Sequence, residues 1–115
     1  MGYYSDVALG LRKEDFKVMM KKVELIENQD VKKEVLELIE DGKNGVKQSY
    51  TDSVLLYWES IKWYESIYPE IKFIMDFIKE IEEYDYVRIG EDLDDIVEDL
   101  NTGWTLCSVS RSIDF

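Results

Sequence analysis

The chain has 115 residues, 45% of them apolar and 35% charged, with a formal net charge of −12, which gives enough apolar material for one small core and excludes a disordered chain. That charge argues against nucleic acid or an anionic membrane as a direct partner, since like charges repel, and no apolar run approaches the roughly 20 residues that span a bilayer. Histidine is absent and Cys107 is the only cysteine, which removes the commonest general base, the imidazole metal ligands, every Ser-His or Cys-His nucleophile and any intramolecular disulfide.

The N-terminus, Met1-Gly2-Tyr3-Tyr4-Ser5-Asp6, lacks the basic and apolar regions of a secretory signal. Asp6 stands where a myristoylation motif requires Ser or Thr. Together these features predict one soluble, cytoplasmic domain over residues 1–115, with no cofactor and no catalytic residues.

Residues 3–11 read as a strand, because Val7, Leu9 and Leu11 alternate with Asp6, Ala8 and Gly10. Acids at Glu14 and Asp15 then suit the first turn of a helix over 13–27, in which Phe16, Met19, Met20, Val23 and Ile26 keep helical spacing. A second helix is expected over 30–41, capped by Asp30, with Val35, Leu38 and Ile39 on one face and Gly42 as its stop. Residues 53–60 carry the β-branched and aromatic content of a strand.

Pro69 fits the first position of a third helix, 69–82, whose stripe is Ile71, Ile74, Met75, Ile78 and Ile81. Residues 84–89 form the next strand. Two extended pieces follow, 94–100 and 104–113, joined as a hairpin by Asn101-Thr102-Gly103; the first of them also fits a short helix. The expected class is α+β, of order β-α-α-β-α-β-β-β, with a single antiparallel or mixed sheet and helices on one face. A ferredoxin-like variant is the nearest common topology, with a split βαβ unit placing the first strand mid-sheet.

Two segments, Gly2-Tyr3-Tyr4-Ser5-Asp6-Val7-Ala8-Leu9 and Val87-Arg88-Ile89-Gly90-Glu91-Asp92-Leu93-Asp94-Asp95-Ile96, resemble those of small acidic proteins encoded by bacteriophages and prophages. The resemblance implies a genomic setting in which such proteins bind and disable a host protein, restriction and CRISPR effectors included. It assigns no residue a role.

Charge is unevenly distributed. Residues 1–75 carry 14 acids against 11 bases, whereas residues 76–115 carry 12 acids against 3 bases. Glu80, Glu82, Glu83 and Asp85 lead into Glu91, Asp92, Asp94, Asp95, Glu98 and Asp99. A fixed array of carboxylates substitutes for phosphates when it meets Arg and Lys; the same run also reads as an ordinary solvated face. The spacing of a calcium-binding loop is absent and no Lys lies among these acids, so no metal site is expected. Neither GxGxxG nor GxxxxGK[ST] occurs.

Aromatic residues cluster at Tyr57, Trp58, Trp63, Tyr64 and Tyr68, a composition shared by cores and interface hot spots. The first functional expectation is therefore a non-enzymatic binding protein that mimics nucleic acid toward a basic host protein. Glu91, Asp92, Asp94, Asp95, Glu98 and Asp99 would supply charge, and Trp58 and Trp63 apolar contact. The alternative is a structural or regulatory domain that homodimerises or binds a small ligand through an aromatic surface.

Overall fold

The computed structural model describes residues 4–46, 53–91 and 95–100, together with the backbone of 108–109 and 113–114. In chain order the elements are β1 (Ser5–Arg12), α1 (Lys13–Glu24), α2 (Gln29–Asn44), β2 (Ser53–Ile61), α3 (Pro69–Ile78), β3 (Tyr84–Gly90) and β4 (Ile96–Leu100), followed by the two-residue strands β5 (Ser108–Val109) and β6 (Ile113–Asp114). The main sheet has the order β2-β1-β3-β4, and each neighbouring pair is antiparallel. The chain is thus α+β. Strand β1 lies between β2 and β3, which run the same way as each other and are joined through α3, so the split βαβ unit forms around the first strand.

Alternation along β1 decides which residues meet the helices. Val7, Leu9 and Leu11 join Leu56 and Trp58 of β2 and Tyr86 of β3 in the main core. Met19 and Val23 of α1, Val35, Leu38 and Ile39 of α2, and Ile71, Ile74, Met75, Phe77 and Ile78 of α3 cover them. The other sheet face has its own small cluster, in which Ala8 and Val87 are buried with Tyr57, Ile89 and Leu100 against them. Strand β1 is therefore buried on both sides, where its alternation had predicted one.

Local chemistry corrects several boundaries. Asn28, not Asp30, caps α2: its side-chain oxygen accepts from the amides of Asp30 and Val31 at 3.0 and 3.2 Å, leaving Asp30 to offset the helix dipole from the first turn. Helix α2 runs through Gly42 to Asn44, and α3 ends at Ile78 rather than 82. Residues 96–100 are a strand. The 104–113 piece is not one strand in a hairpin with it, because Ser108–Val109 pairs with Ile113–Asp114 in a separate ribbon. Residues 101–107, including the 101–103 loop, Trp104 and Cys107, lie outside the described residues.

Strand β2 contains an irregularity. Val7 faces Trp58 but Ser5 faces Ile61, so β2 holds one extra residue there. Ser60 takes it up with φ of 53°, a left-handed conformation uncommon outside glycine. Its amide donates to Asp6 Oδ1 at 2.9 Å, which holds the kink in place.

Gly42 is inside a helix for lack of space. A Cβ there would lie 2.6 Å from Trp58 Cζ2 and 2.7 Å from Cε2. The indole cannot retreat freely, because its Nε1 donates to the Leu38 carbonyl at 2.8 Å. One turn on, a Cβ on Gly45 would meet the Tyr57 carbonyl oxygen at 2.1 Å. Helix propensity favours alanine over glycine by about 1 kcal/mol, whereas overpacking a filled core costs about 1–3 kcal/mol. Gly42→Ala is therefore expected to lower the urea midpoint, and to lower it less in a Trp58→Phe background, where the smaller ring leaves room. A higher midpoint for Gly42→Ala alone would show that the indole moves aside at no cost.

Candidate acidic binding surface

The acidic run at 80–99 is not a free array. Glu80 pairs with Lys22 of α1, and Glu83 lies 3.3 Å from Arg12. Asp85 is fully buried beside the smaller cluster. Of the six acids expected to meet a partner, Asp92 and Asp94 lie outside the described residues. Glu91 accepts from the Tyr4 amide at 2.9 Å. Asp95 takes both terminal nitrogens of Arg88, at 3.0 and 3.4 Å, in a partly buried pair. Asp99 accepts from the Tyr84 hydroxyl at 2.6 Å.

Alternation along β4 also divides what remains. Asp99 opposes Tyr86 on the helix side, while Glu98 opposes Val87 on the other face. The strand therefore presents its two carboxylates in opposite directions. Between them and the turn, Ile96 and Val97 are 45% and 36% exposed.

The aromatic expectation changes more sharply. Trp58 and Trp63 are only 5% and 8% exposed, with ring centroids 5.0 Å apart. They are core residues, not partner-binding ones. The odd–even rule decides this, since Trp58 shares the helix side of β2 with Leu56 and leaves Tyr57 to face the opposite cluster. The apolar groups left at the surface include Tyr4, Leu25 and Ile67.

A second acidic surface went unmarked in the sequence. Glu34, Glu37 and Asp41 occupy one stripe of α2 and border a groove of about 310 Å³. Leu38, Ile61 and Ile71 give it apolar walls; Tyr68, Glu70 and Lys62 complete it. The Lys62 ammonium lies 5.6 Å from the Tyr4 ring centroid, a cation–π distance. The readable signal was the spacing 34, 37, 41, three acids one helical turn apart beside the apolar Leu38.

Glu70 is the perturbed group of this groove. Partial burial, then a hydrogen bond with Glu34 and its charge, push its carboxyl up to about 7 from 4.5, the direction expected for two neighbouring carboxyls. Its Oε1 is buried without a hydrogen-bond partner. Among the described residues no three Asp, Glu or Cys side chains gather as metal ligands, and no helix is long and apolar enough to cross a membrane.

The raised carboxyl has a signed consequence for stability. A folded-state value above the unfolded one means that the folded chain holds the extra proton, so stability is full below about 4.5 and falls as pH rises through about 7. Glu70→Gln never ionises and escapes that loss. Its melting temperature is expected to exceed the parent's above pH 7 and to match it in strong acid. A pH-independent difference between the two would contradict the shared-proton arrangement.

No family model matches the chain. No curated protein and no solved structure matches it either.

Proposed function

We propose that this is a non-enzymatic binding protein whose acidic β3–β4 region occupies a basic groove on a nucleic-acid-handling protein. The observation that carries the reading is the composition of β4. Ile96 and Val97 are exposed on opposite sides of the strand, directly before exposed Glu98 and Asp99. Solubility alone requires neither apolar side chain. Apolar surface amid carboxylates is what a basic partner covers, the apolar atoms adding burial and the acids steering approach. The resemblance to phage proteins places restriction and CRISPR effectors among the partners to test first.

The pairing of Asp95 and Asp99 with Arg88 and Tyr84 decides how to test this. Reversing those two would damage the sheet edge as well as the charge, so the test changes Asp92, Asp94 and Glu98 to Lys. The parent chain, immobilised, is exposed to such nucleic-acid-handling proteins, and those retained are challenged with duplex DNA. Binding is expected to weaken with salt, because charges are screened over about 8 Å at physiological ionic strength. It should also be displaced by DNA and be lost in the triple reversal, chiefly through a slower association rate. A retained partner that binds the reversed chain as tightly as the parent, and that DNA does not displace, would overturn the proposal.

A further inference from the structure

The groove between α2 and the start of α3 lies on the β2 side of the molecule, at the opposite edge of the sheet from β4. Its parts point to one kind of occupant. Carboxylates from Glu34, Glu37 and Asp41 line one wall and Glu70 another, while Leu38 and Ile71 supply apolar contact. Elsewhere several exposed acids have cationic partners within the chain: Lys22 with Glu80, Lys72 with Asp76, Lys79 with Glu65. In the groove the cation at hand, Lys62, is turned to the Tyr4 ring. A buried carboxylate oxygen without a partner, Glu70 Oε1, marks where a donor is missing; leaving such an atom unpaired is unfavourable.

We infer that this groove is a docking pocket for an arginine side chain of a basic protein partner, with its guanidinium between Glu34 and Glu70 and its alkyl stem along Leu38 and Ile71. Guanidinium offers planar, forked donors to paired carboxylates, and its three-carbon stem tolerates apolar walls. A compact ammonium satisfies only the charge. The inference rests on the basic-partner reading but on a different surface, so the two fail separately.

Protonation adds a dependence that a plain electrostatic coat lacks. The charged or titratable groups facing the pocket are Glu34, Glu37 and Asp41 from α2, Lys62 after β2, Tyr68 before α3, and Glu70 of α3. Glu70 carries its proton below about 7. Arginine binding should therefore strengthen as pH rises through about 7, because the charged form of Glu70 is the one that attracts the guanidinium.

The test titrates the ¹⁵N-labelled chain with an acetylated, amidated tetrapeptide, Gly-Arg-Gly-Gly, and follows amide shifts at the α2 and α3 positions of the groove. The same peptide with lysine or citrulline in place of arginine serves as comparison. Saturable shifts at the groove are expected with arginine, weaker ones with lysine and none with citrulline. The Glu34→Gln and Glu70→Gln chains should each bind about tenfold more weakly, the loss of one charge-assisted contact. Glu98→Lys, on the far edge, should leave groove shifts unchanged. Both Gln substitutions keep the side-chain shape and remove repulsion, so folding is expected to survive, and matching spectra of the free variants establish it. Shifts confined to β4, or equal shifts with arginine and citrulline, would overturn the arginine pocket; of these, shifts at β4 would still leave the basic-partner reading standing.

Discussion

The contact between Trp58 and Gly42 sets the spacing of α2 against the sheet, and much of the molecule is arranged around it. An indole laid on a helix needs one residue without a side chain beneath it, and α2 supplies that residue one turn after Leu38, whose carbonyl receives the indole N–H. Position and orientation are fixed together, the first by sterics and the second by a buried hydrogen bond. Helix α2 then holds Glu34, Glu37 and Asp41 at a set height above Ile61 and the first turn of α3. The carboxyl pair Glu34 and Glu70 exists because those two helices are held close.

The distribution of negative charge follows from where cations are available. The segment richest in acids also lies beside Arg12, Lys22 and Arg88, and the sheet edge brings Tyr84 against Asp99. These contacts tie the segment before β3 to β1 and α1 and hold β4 to β3, although the exposed pairs among them add at most about 1 kcal/mol each. On α2 the lysines, at 32, 33 and 43, do not line the groove, so its carboxylates keep their field. Net charge along the sequence and free charge on the surface are consequently distributed differently.

Periodicity made most of the fold legible. Val7, Leu9 and Leu11 marked the central strand, Pro69 marked the start of α3, and residues 30–41 with their apolar spacing lie within α2. Terminal details were less legible because they depend on single polar contacts: Asn28 outcompetes Asp30 as a cap only because its side chain reaches two amides at once. The acidic site was read as a linear run, and a run does not say which carboxylates find an arginine or a tyrosine hydroxyl. Trp58 and Trp63 were misplaced for a similar reason, since aromatic content does not distinguish a core from an interface. The glycine that admits Trp58 lies 16 positions away, and nothing local to either residue announces the pairing.

The extra residue in β2 makes the groove a matter of counting. In unbroken register the same sequence would place Ser60 opposite Ser5 on the helix side; with the bulge, Ile61 takes that place and becomes part of the groove's apolar wall. The parity of the strand, and not only the identity of its side chains, thus decides whether an oil-like or a hydroxylic group meets α2. Point changes that preserve chain length leave this parity intact. A single-codon insertion between residues 58 and 60, with the bulge still holding one extra residue, would put Ser60 opposite Ser5 and convert the wall without altering any lining side chain by substitution, whereas a deletion there would straighten the strand and leave Ile61 in place.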